Sequence, residues 1–136
     1  MARSFDFYDF DTVEEPIWAA VAFPEGGPDQ VPTRSGVYRF VSEHSGDKQT
    51  LFADTAPSTY GATLRECYCH HVMVRNDKTT GLYRLYINAG VGFEHFICSE
   101  GDAVKIKQKI ISDYQPHFNM ISIGFDSKPI KKPFAN

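Results

Sequence analysis

Two stretches in the first half of the chain have the pattern of a β-hairpin. Residues 37–41 (VYRFV) and residues 50–53 (TLFA) carry the apolar, aromatic and β-branched side chains that favour strands. The polar turn Ser45-Gly46-Asp47 lies between them. The pattern therefore predicts antiparallel strands over residues 36–41 and 50–54, joined as a hairpin.

Apolar residues at helical spacing predict a helix after the hairpin. It covers residues 58–71, and Ser58 follows Pro57 as a candidate N-cap. One face of this helix gathers the large side chains, which are Tyr60, Leu64, Cys67, Tyr68 and His71. Such a face is expected to pack against the sheet.

A second amphipathic helix is predicted over residues 102–114. Ser99, with Asp102 three residues later, is typical of a capping box at the start, and Pro116 lies just past the end. The apolar face of this helix consists of Ala103, Ile106, Ile110, Ile111 and Tyr114. This helix is also expected to cover the sheet.

Residues 82–87 and 93–98 are rich in aromatic and β-branched side chains and are predicted as strands. The apolar run over residues 17–23 fits either a strand or a short helix. The element order β-β-α-β-β-α indicates an α+β fold with a small, mostly antiparallel sheet flanked by helices. A Pro- and Gly-rich loop, residues 24–32, ends an N-terminal extension, residues 1–32, that is expected to pack on the core. The α+β domain with its C-terminal tail follows over residues 33–136.

Length and composition fit one globular domain that is expected in the cytoplasm. The chain has 136 residues, of which 42% are hydrophobic, enough to bury a core. No apolar run reaches the length of a membrane span, and no apolar signal segment follows Met1. The three cysteines are too few and too unevenly spaced for a disulfide framework, which favours a reducing compartment. A membrane partner is not expected.

Charge is distributed unevenly along the chain. The formal net charge is −3, yet residues 1–30 carry seven acidic residues against Arg3 alone, and the remaining residues are net positive by three. A nucleic-acid-binding domain usually has a larger basic excess. The acidic extension is interpreted either as a solvated surface or as an arm that competes with phosphate for a basic groove.

Several short motifs resemble those of the GIY-YIG nuclease family. Gly36-Val37-Tyr38 and Leu51-Phe52-Ala53 are similar to the two tripeptides that name the family. The C-terminal match consists of Asp102-Ala103, Lys107, Ile110-Ile111, Tyr114, Pro116 and Phe118-Asn119. The resemblance covers about residues 32 to 119 and rests on the order and spacing of the pieces.

The resemblance implies a set of catalytic positions. In the family a tyrosine helps to activate water, an arginine on the first helix binds the scissile phosphate, and a glutamate on a later helix holds a divalent cation. Tyr38, Arg65 and Asn119 match the tyrosine, the arginine and a terminal asparagine, while Lys107 takes the place of the metal-binding carboxylate. An ammonium group repels Mg²⁺ instead of binding it.

These matches predict a GIY-YIG-like domain with a degenerate catalytic site. The expected role of the domain is nucleic-acid association or protein interaction. Arg65, Lys105, Lys107 and Lys109 are the candidate contacts to a DNA phosphate backbone. The alternative is an active, divalent-metal-dependent endonuclease that uses Tyr38, Arg65 and a substitute carboxylate. Mg²⁺ is expected only in that active form.

A Cys-His cluster over residues 67–71 offers a third hypothesis, a metal-binding or partner-binding module. Cys67 and His71 are four residues apart, so they share one face of a helix and are candidate zinc ligands. The competing interpretation places Cys67 in the core and a histidine at the helix C-terminus.

Overall fold

Four strands form one antiparallel sheet in a computed structural model of the protein. The structure describes residues 13–88 and 90–124; for His44 and residues 121–124 it describes the backbone and not the side chains. The strands are β1 (Ala19–Ala22), β2 (Gly36–His44), β3 (Asp47–Ala56) and β4 (Gly92–Ile97). Their order across the sheet is β1-β4-β2-β3, so β1 and β3 are the edges. The expected α+β class is confirmed.

The predicted hairpin is present, and its two strands extend beyond the predicted ranges 36–41 and 50–54. Strands β2 and β3 pair from Gly36 opposite Ala56 to His44 opposite Asp47. Ser45 and Gly46 both have positive φ, 54° and 85°, which is the backbone of the tight two-residue turns that suit twisted strands. At the other end of β2 a Cβ on Gly36 would overlap the Phe96 carbonyl. The close approach of β4 therefore requires glycine there.

Helices cover both faces of the sheet and the edge of β3. They are α1 (Leu64–Met73), α2 (Tyr83–Tyr86), α3 (Glu100–Tyr114) and α4 (His117–Gly124). The side chains of α1 and α2 join the larger aromatic core with Tyr38, Phe40 and Phe93. Helix α3 packs Ala103, Ile106 and Ile110 against Val37 and Ala53 on the other face.

The predicted start of the first helix was wrong by six residues. Ser58 and Gly61 exchange two backbone hydrogen bonds, of 2.8 and 3.1 Å, and this tight turn keeps residues 58–61 out of the helix. Thr63 is the N-cap instead, because its side chain accepts a hydrogen bond from the Glu66 amide. Tyr60 therefore precedes the helix and does not lie on its face.

The strand predicted over residues 82–87 was also wrong, because these residues contain the short helix α2. Leu82, Leu85 and Tyr86 are all buried, and their spacing of three and four residues gathers them on one side of a helical turn. The observed element order is therefore β-β-β-α-α-β-α-α.

Helix α3 confirms the predicted cap: the Ser99 side chain accepts a hydrogen bond from the Asp102 amide at 3.1 Å. Its C-terminus is Gln115, which has a left-handed backbone with φ of 46°. Tyr114, predicted on the apolar face, is 54% exposed. The prediction for this residue was therefore wrong.

The N-terminal region contributes one strand to the sheet. Strand β1, which resolves the choice between strand and helix over residues 17–23, pairs with β4 from Ala19 opposite His95 to Ala22 opposite Gly92. Residues 1–12 of the acidic extension, like the tail from residue 125, lie outside the described residues. None of the described helices has the length and apolar character needed to cross a membrane.

Candidate functional site

A cleft of about 270 Å³ lies beside the edge strand β3. Its walls come from β3, the turn before α1, α3 and α4. The lining residues are Phe52, Asp54, Thr59, Tyr60, Lys107, Ile111 and Asn119. The cleft forms here because no further strand covers this side of β3 in the described part of the chain.

An ion pair between Lys107 and Asp54 crosses the cleft. The Lys107 Nζ lies 3.1 Å from the Asp54 Oδ1, and the two side chains are 32% and 12% exposed. The same Asp54 oxygen accepts the Thr55 amide hydrogen at 2.8 Å. Lys107 stands where the resemblance to the nuclease family would place a glutamate, and the Asp54 carboxylate compensates its charge within the cleft. Asp54 was not among the residues predicted from the sequence.

Asn119 forms hydrogen bonds with the backbone of the edge strand β3. Its Oδ1 accepts the Ala53 amide hydrogen at 2.7 Å, and its Nδ2 donates to the Ala53 carbonyl at 2.8 Å. The side chain therefore reproduces the two hydrogen bonds that a neighbouring strand would make. The amide of Asn119 holds α4 against the sheet, and the residue also lines the cleft.

Tyr60 supplies an aromatic wall that sequence reasoning placed on a helix. Its ring stacks on the buried His71 ring, with centroids 4.2 Å apart and planes 23° from parallel. Burial, with a smaller effect from the Asp54 charge, raises the pKa of Tyr60. Its hydroxyl is therefore a proton donor at neutral pH.

Tyr38, the tyrosine of the first motif, lies in the core and not in the cleft. It is fully buried, and its hydroxyl is 2.8 Å from the Nε2 of His71. Burial, followed by the Asp54 charge, raises the pKa of Tyr38 well above its usual value. A buried phenol in a hydrogen bond to imidazole has no path to a water nucleophile.

His71 joins two tyrosines in a buried chain of hydrogen bonds. Its Nδ1 lies 2.6 Å from the Tyr86 hydroxyl, and its Nε2 bonds Tyr38. Burial lowers the pKa of His71 to about 3, so the ring is neutral at physiological pH. Because a neutral imidazole has one N–H and one lone pair, one tyrosine donates to the ring and the other accepts from it.

The structure does not support zinc at Cys67 and His71. Both ring nitrogens of His71 bond tyrosine hydroxyls, and the Cys67 sulfur lies 3.7 Å from the Ser58 hydroxyl and 3.6 Å from the Gly61 carbonyl. Burial raises the pKa of Cys67 to about 11, which keeps the thiol protonated. Residues 13–88 and 90–124 contain no group of three or more potential ligands placed to hold a metal ion.

The four basic residues predicted to bind phosphate lie in different places. Only Lys107, among these four, lines the cleft. The Arg65 Nε donates to the Val31 carbonyl at 2.7 Å and fixes the loop before β2. Lys105 lines a groove beside Glu14, and Lys109 pairs with Asp113 at 2.9 Å. Positions two apart on a helix point about 200° from each other, which separates Lys107 from its two neighbours.

Comparison of the chain with family models, with curated proteins and with solved structures finds no match. The site must therefore be interpreted from its own chemistry. It presents one ammonium group, a phenol hydroxyl and the Thr59 hydroxyl as hydrogen-bond donors. Because the Asp54 carboxylate of the same cleft is already paired with Lys107, these donors suit an anionic oxygen better than a metal ion.

The buried His71 predicts a stability that falls in acid. The unfolded histidine has a pKa of about 6.5 and the folded one a pKa of about 3, so between these values the unfolded chain binds more protons. Stability therefore decreases as the pH falls through this window, by about 1.4 kcal/mol per pH unit. Burial also lowers the pKa of His95 and adds to the same trend.

Chemical unfolding at pH 7 and pH 5 measures this effect. In His71→Gln, which retains a donor and an acceptor, the loss between the two pH values is expected to shrink by about 2 kcal/mol. Tyr86→Phe is the control, because it lowers stability and leaves the imidazole buried, so the pH slope persists. An unchanged slope in His71→Gln would show that this ring does not control the acid sensitivity.

Proposed function

We propose that the chain is a non-hydrolytic relative of the GIY-YIG nucleases whose cleft beside β3 associates weakly with a nucleic-acid phosphate. Three positions matched to the family's motifs support the relationship. Phe52 of the second tripeptide, Lys107 and Asn119 are far apart in sequence, and all three line this cleft.

The observation that carries the proposal is the Lys107–Asp54 ion pair. The Lys107 ammonium lies 3.1 Å from the Asp54 Oδ1. A divalent cation in the cleft would need this oxygen as a ligand, and the ammonium group already occupies the space beside it. Metal-assisted phosphodiester cleavage depends on a cation that stabilises charge and activates water. The residues present do not fit such a cation, so no hydrolytic step is assigned to them.

The remaining catalytic positions have structural roles. Tyr38 bonds His71 in the core, and the Arg65 Nε bonds the Val31 carbonyl. Neither side chain lines the cleft. On this proposal the motif positions remain in the sequence, while the side chains of Tyr38 and Arg65 stabilise the fold.

Phosphate association follows from the donors that the cleft retains. Lys107 is about one-third exposed, so a phosphate oxygen can replace the Asp54 oxygen at its ammonium group. With a single cationic contact, the slope of log affinity against log salt is about −0.9 for duplex DNA. Three or four contacts, as the sequence predicted, would need Arg65, Lys105 and Lys109 in the same cleft.

One observation favours the alternative of an active endonuclease. Asp54 is a carboxylate in the cleft, and it has the chemistry of the substitute ligand that an active enzyme would need. Its pairing with Lys107 opposes this role. Activity and metal binding separate the two hypotheses.

Wild-type protein is expected to leave supercoiled plasmid intact in Mg²⁺ or Mn²⁺, because no metal-activated water forms beside an ammonium group. Agarose gel electrophoresis of the nicked form is the measurement. Nicking by the wild type that disappears in Asp54→Asn would show that Asp54 holds a catalytic metal. That result would replace the proposal with the alternative.

Lys107→Glu is expected to create a Mn²⁺ site, because it places a second carboxylate beside Asp54. Calorimetric titration should detect one Mn²⁺ per chain in this variant and none in the wild type. Lys107→Gln, which removes the ammonium group without adding a carboxylate, is the matched control and should bind no ion. A Lys107→Glu protein that remains folded and binds no Mn²⁺ would contradict the assignment of this cleft to the family's metal position.

Duplex DNA should bind more tightly, by several-fold, to Asp54→Asn, because the carboxylate no longer competes for Lys107. Lys107→Ala should lose most of the binding, and Lys105→Ala should leave it unchanged. Fluorescence anisotropy of a labelled duplex at two low salt concentrations measures both affinity and slope. Equal losses in Lys107→Ala and Lys105→Ala would indicate nonspecific attraction and contradict a role for the cleft.

A further inference from the structure

Tyr60 presents a half-buried aromatic ring in the wall of the cleft beside β3. One face of the ring stacks on the imidazole of His71, with centroids 4.2 Å apart. Because His71 is fully buried, the accessible surface of the Tyr60 ring belongs to its other face and its edges. A ligand in the cleft would therefore meet an aromatic face.

Several contacts fix the orientation of this ring. The Tyr60 amide donates to the Ser58 Oγ at 3.1 Å, and the Tyr60 carbonyl lies 3.1 Å from the Nδ1 of His70. The rings of Phe52 and His70 meet the Tyr60 ring at steep angles of 80° and 62°. A ring that is already held in place loses little conformational entropy when a flat ligand stacks on it.

The aromatic face and the ammonium group of the cleft adjoin the same carboxylate. The Asp54 Oδ1 lies 3.1 Å from the Lys107 Nζ. The same charge acts on Tyr60, because burial and, after it, Asp54 raise the pKa of the phenol. An aromatic surface beside a cation matches the two parts of one nucleotide, a flat base and an anionic phosphate.

The size of the cleft favours an unpaired base over a base pair. Its volume is about 270 Å³, just below the range of about 300–1,000 Å³ that is usual for pockets of drug-sized ligands. In a duplex, both faces of each base are covered by its neighbours in the stack. Single strands present bases that can stack on aromatic side chains instead.

We propose that the cleft binds single-stranded nucleic acid, with one unpaired base stacked on Tyr60 and the adjacent phosphate at Lys107. This inference rests on the phosphate association proposed above and adds the base, which that function does not require. Stacking tolerates any sequence, because every base has a π-face. Neither contact involves the sugar hydroxyl that distinguishes RNA from DNA, so strands of both kinds are expected to bind.

Fluorescence anisotropy of labelled probes with the full-length protein at low salt tests the role of the base. The probes are a short oligothymidylate, a strand of the same length with abasic sites, and a duplex. Wild-type protein should bind the oligothymidylate at least about fivefold more tightly than the abasic strand, which is the lower limit of what stacking on an aromatic side chain contributes per base.

Substitutions separate the base contact from the phosphate contact. Tyr60→Leu should bind the oligothymidylate no more tightly than the abasic strand and should leave duplex binding unchanged, whereas Tyr60→Phe keeps the ring and the preference. Tyr114→Leu, which removes an exposed tyrosine of α3 that lines another groove, is the matched control and should keep the preference. Lys107→Ala should weaken the binding of both strands and preserve their ratio.

A cross-linking measurement on the wild-type protein does not depend on the folding of any variant. A strand that carries iodouracil should cross-link to Tyr60 on irradiation, as mapped by mass spectrometry of the peptides. A cross-link that maps only to residues outside the cleft would overturn the inference.

The affinities distinguish failure of this inference from failure of the proposed function. Equal affinity of the wild type for the oligothymidylate and the abasic strand would overturn the base contact and leave phosphate association standing. A preference that persists in Tyr60→Leu protein, folded as judged by circular dichroism, would do the same. Absence of binding to every probe at low salt would overturn the proposed function and this inference with it.

Discussion

The free edge of β3 is the constraint that shapes the candidate site. An edge strand leaves backbone groups unpaired, and these must find partners in the protein or in water. Asn119 satisfies the amide and the carbonyl of Ala53 from α4. One residue farther along the strand, Lys107 reaches across from α3 to pair with Asp54. The interactions that cover the edge thus also determine the charge of the cleft.

A second set of polar contacts, inside the core, explains why the first motif tyrosine is not available for chemistry. Tyr38 on β2, His71 on α1 and Tyr86 on α2 form one chain of hydrogen bonds with no exposed member. A buried imidazole is tolerated because both of its nitrogens have partners. The network connects the sheet to two helices. Substitutions in it are therefore expected to change the packing of the core more than the chemistry of the cleft.

Local signals predicted the elements that local interactions decide. The hairpin around Ser45 and the cap at Ser99 were both predicted, because turn and cap preferences depend on a few neighbouring residues. Residues 82–87 were misassigned because their aromatic and β-branched residues fit a strand by composition, whereas the spacing of the buried Leu82, Leu85 and Tyr86 fits a helical turn. The start of α1 depended on the contact between Ser58 and Gly61, which composition does not reveal.

The candidate site was predicted in part for the same reason. Lys107 and Asn119 were found through their motif spacing, and helical periodicity would have separated Lys107 from Lys105 and Lys109. Asp54 was missed because its partner lies 53 positions away; the only signal was an acidic residue at the end of an apolar strand. Arg65 was predicted to face a phosphate, and the loop carbonyl of Val31 takes its hydrogen bond instead.

The central claim is that an ammonium group, and not a metal ion, occupies the cleft beside Asp54. Paramagnetic broadening of backbone amide signals during a Mn²⁺ titration of the wild-type protein tests this claim most directly. Uniform, weak broadening of exposed amides is the predicted result, with no selective loss of the signals of Asp54, Thr55 and Lys107. Selective broadening of these three signals at low Mn²⁺ concentration would contradict the account.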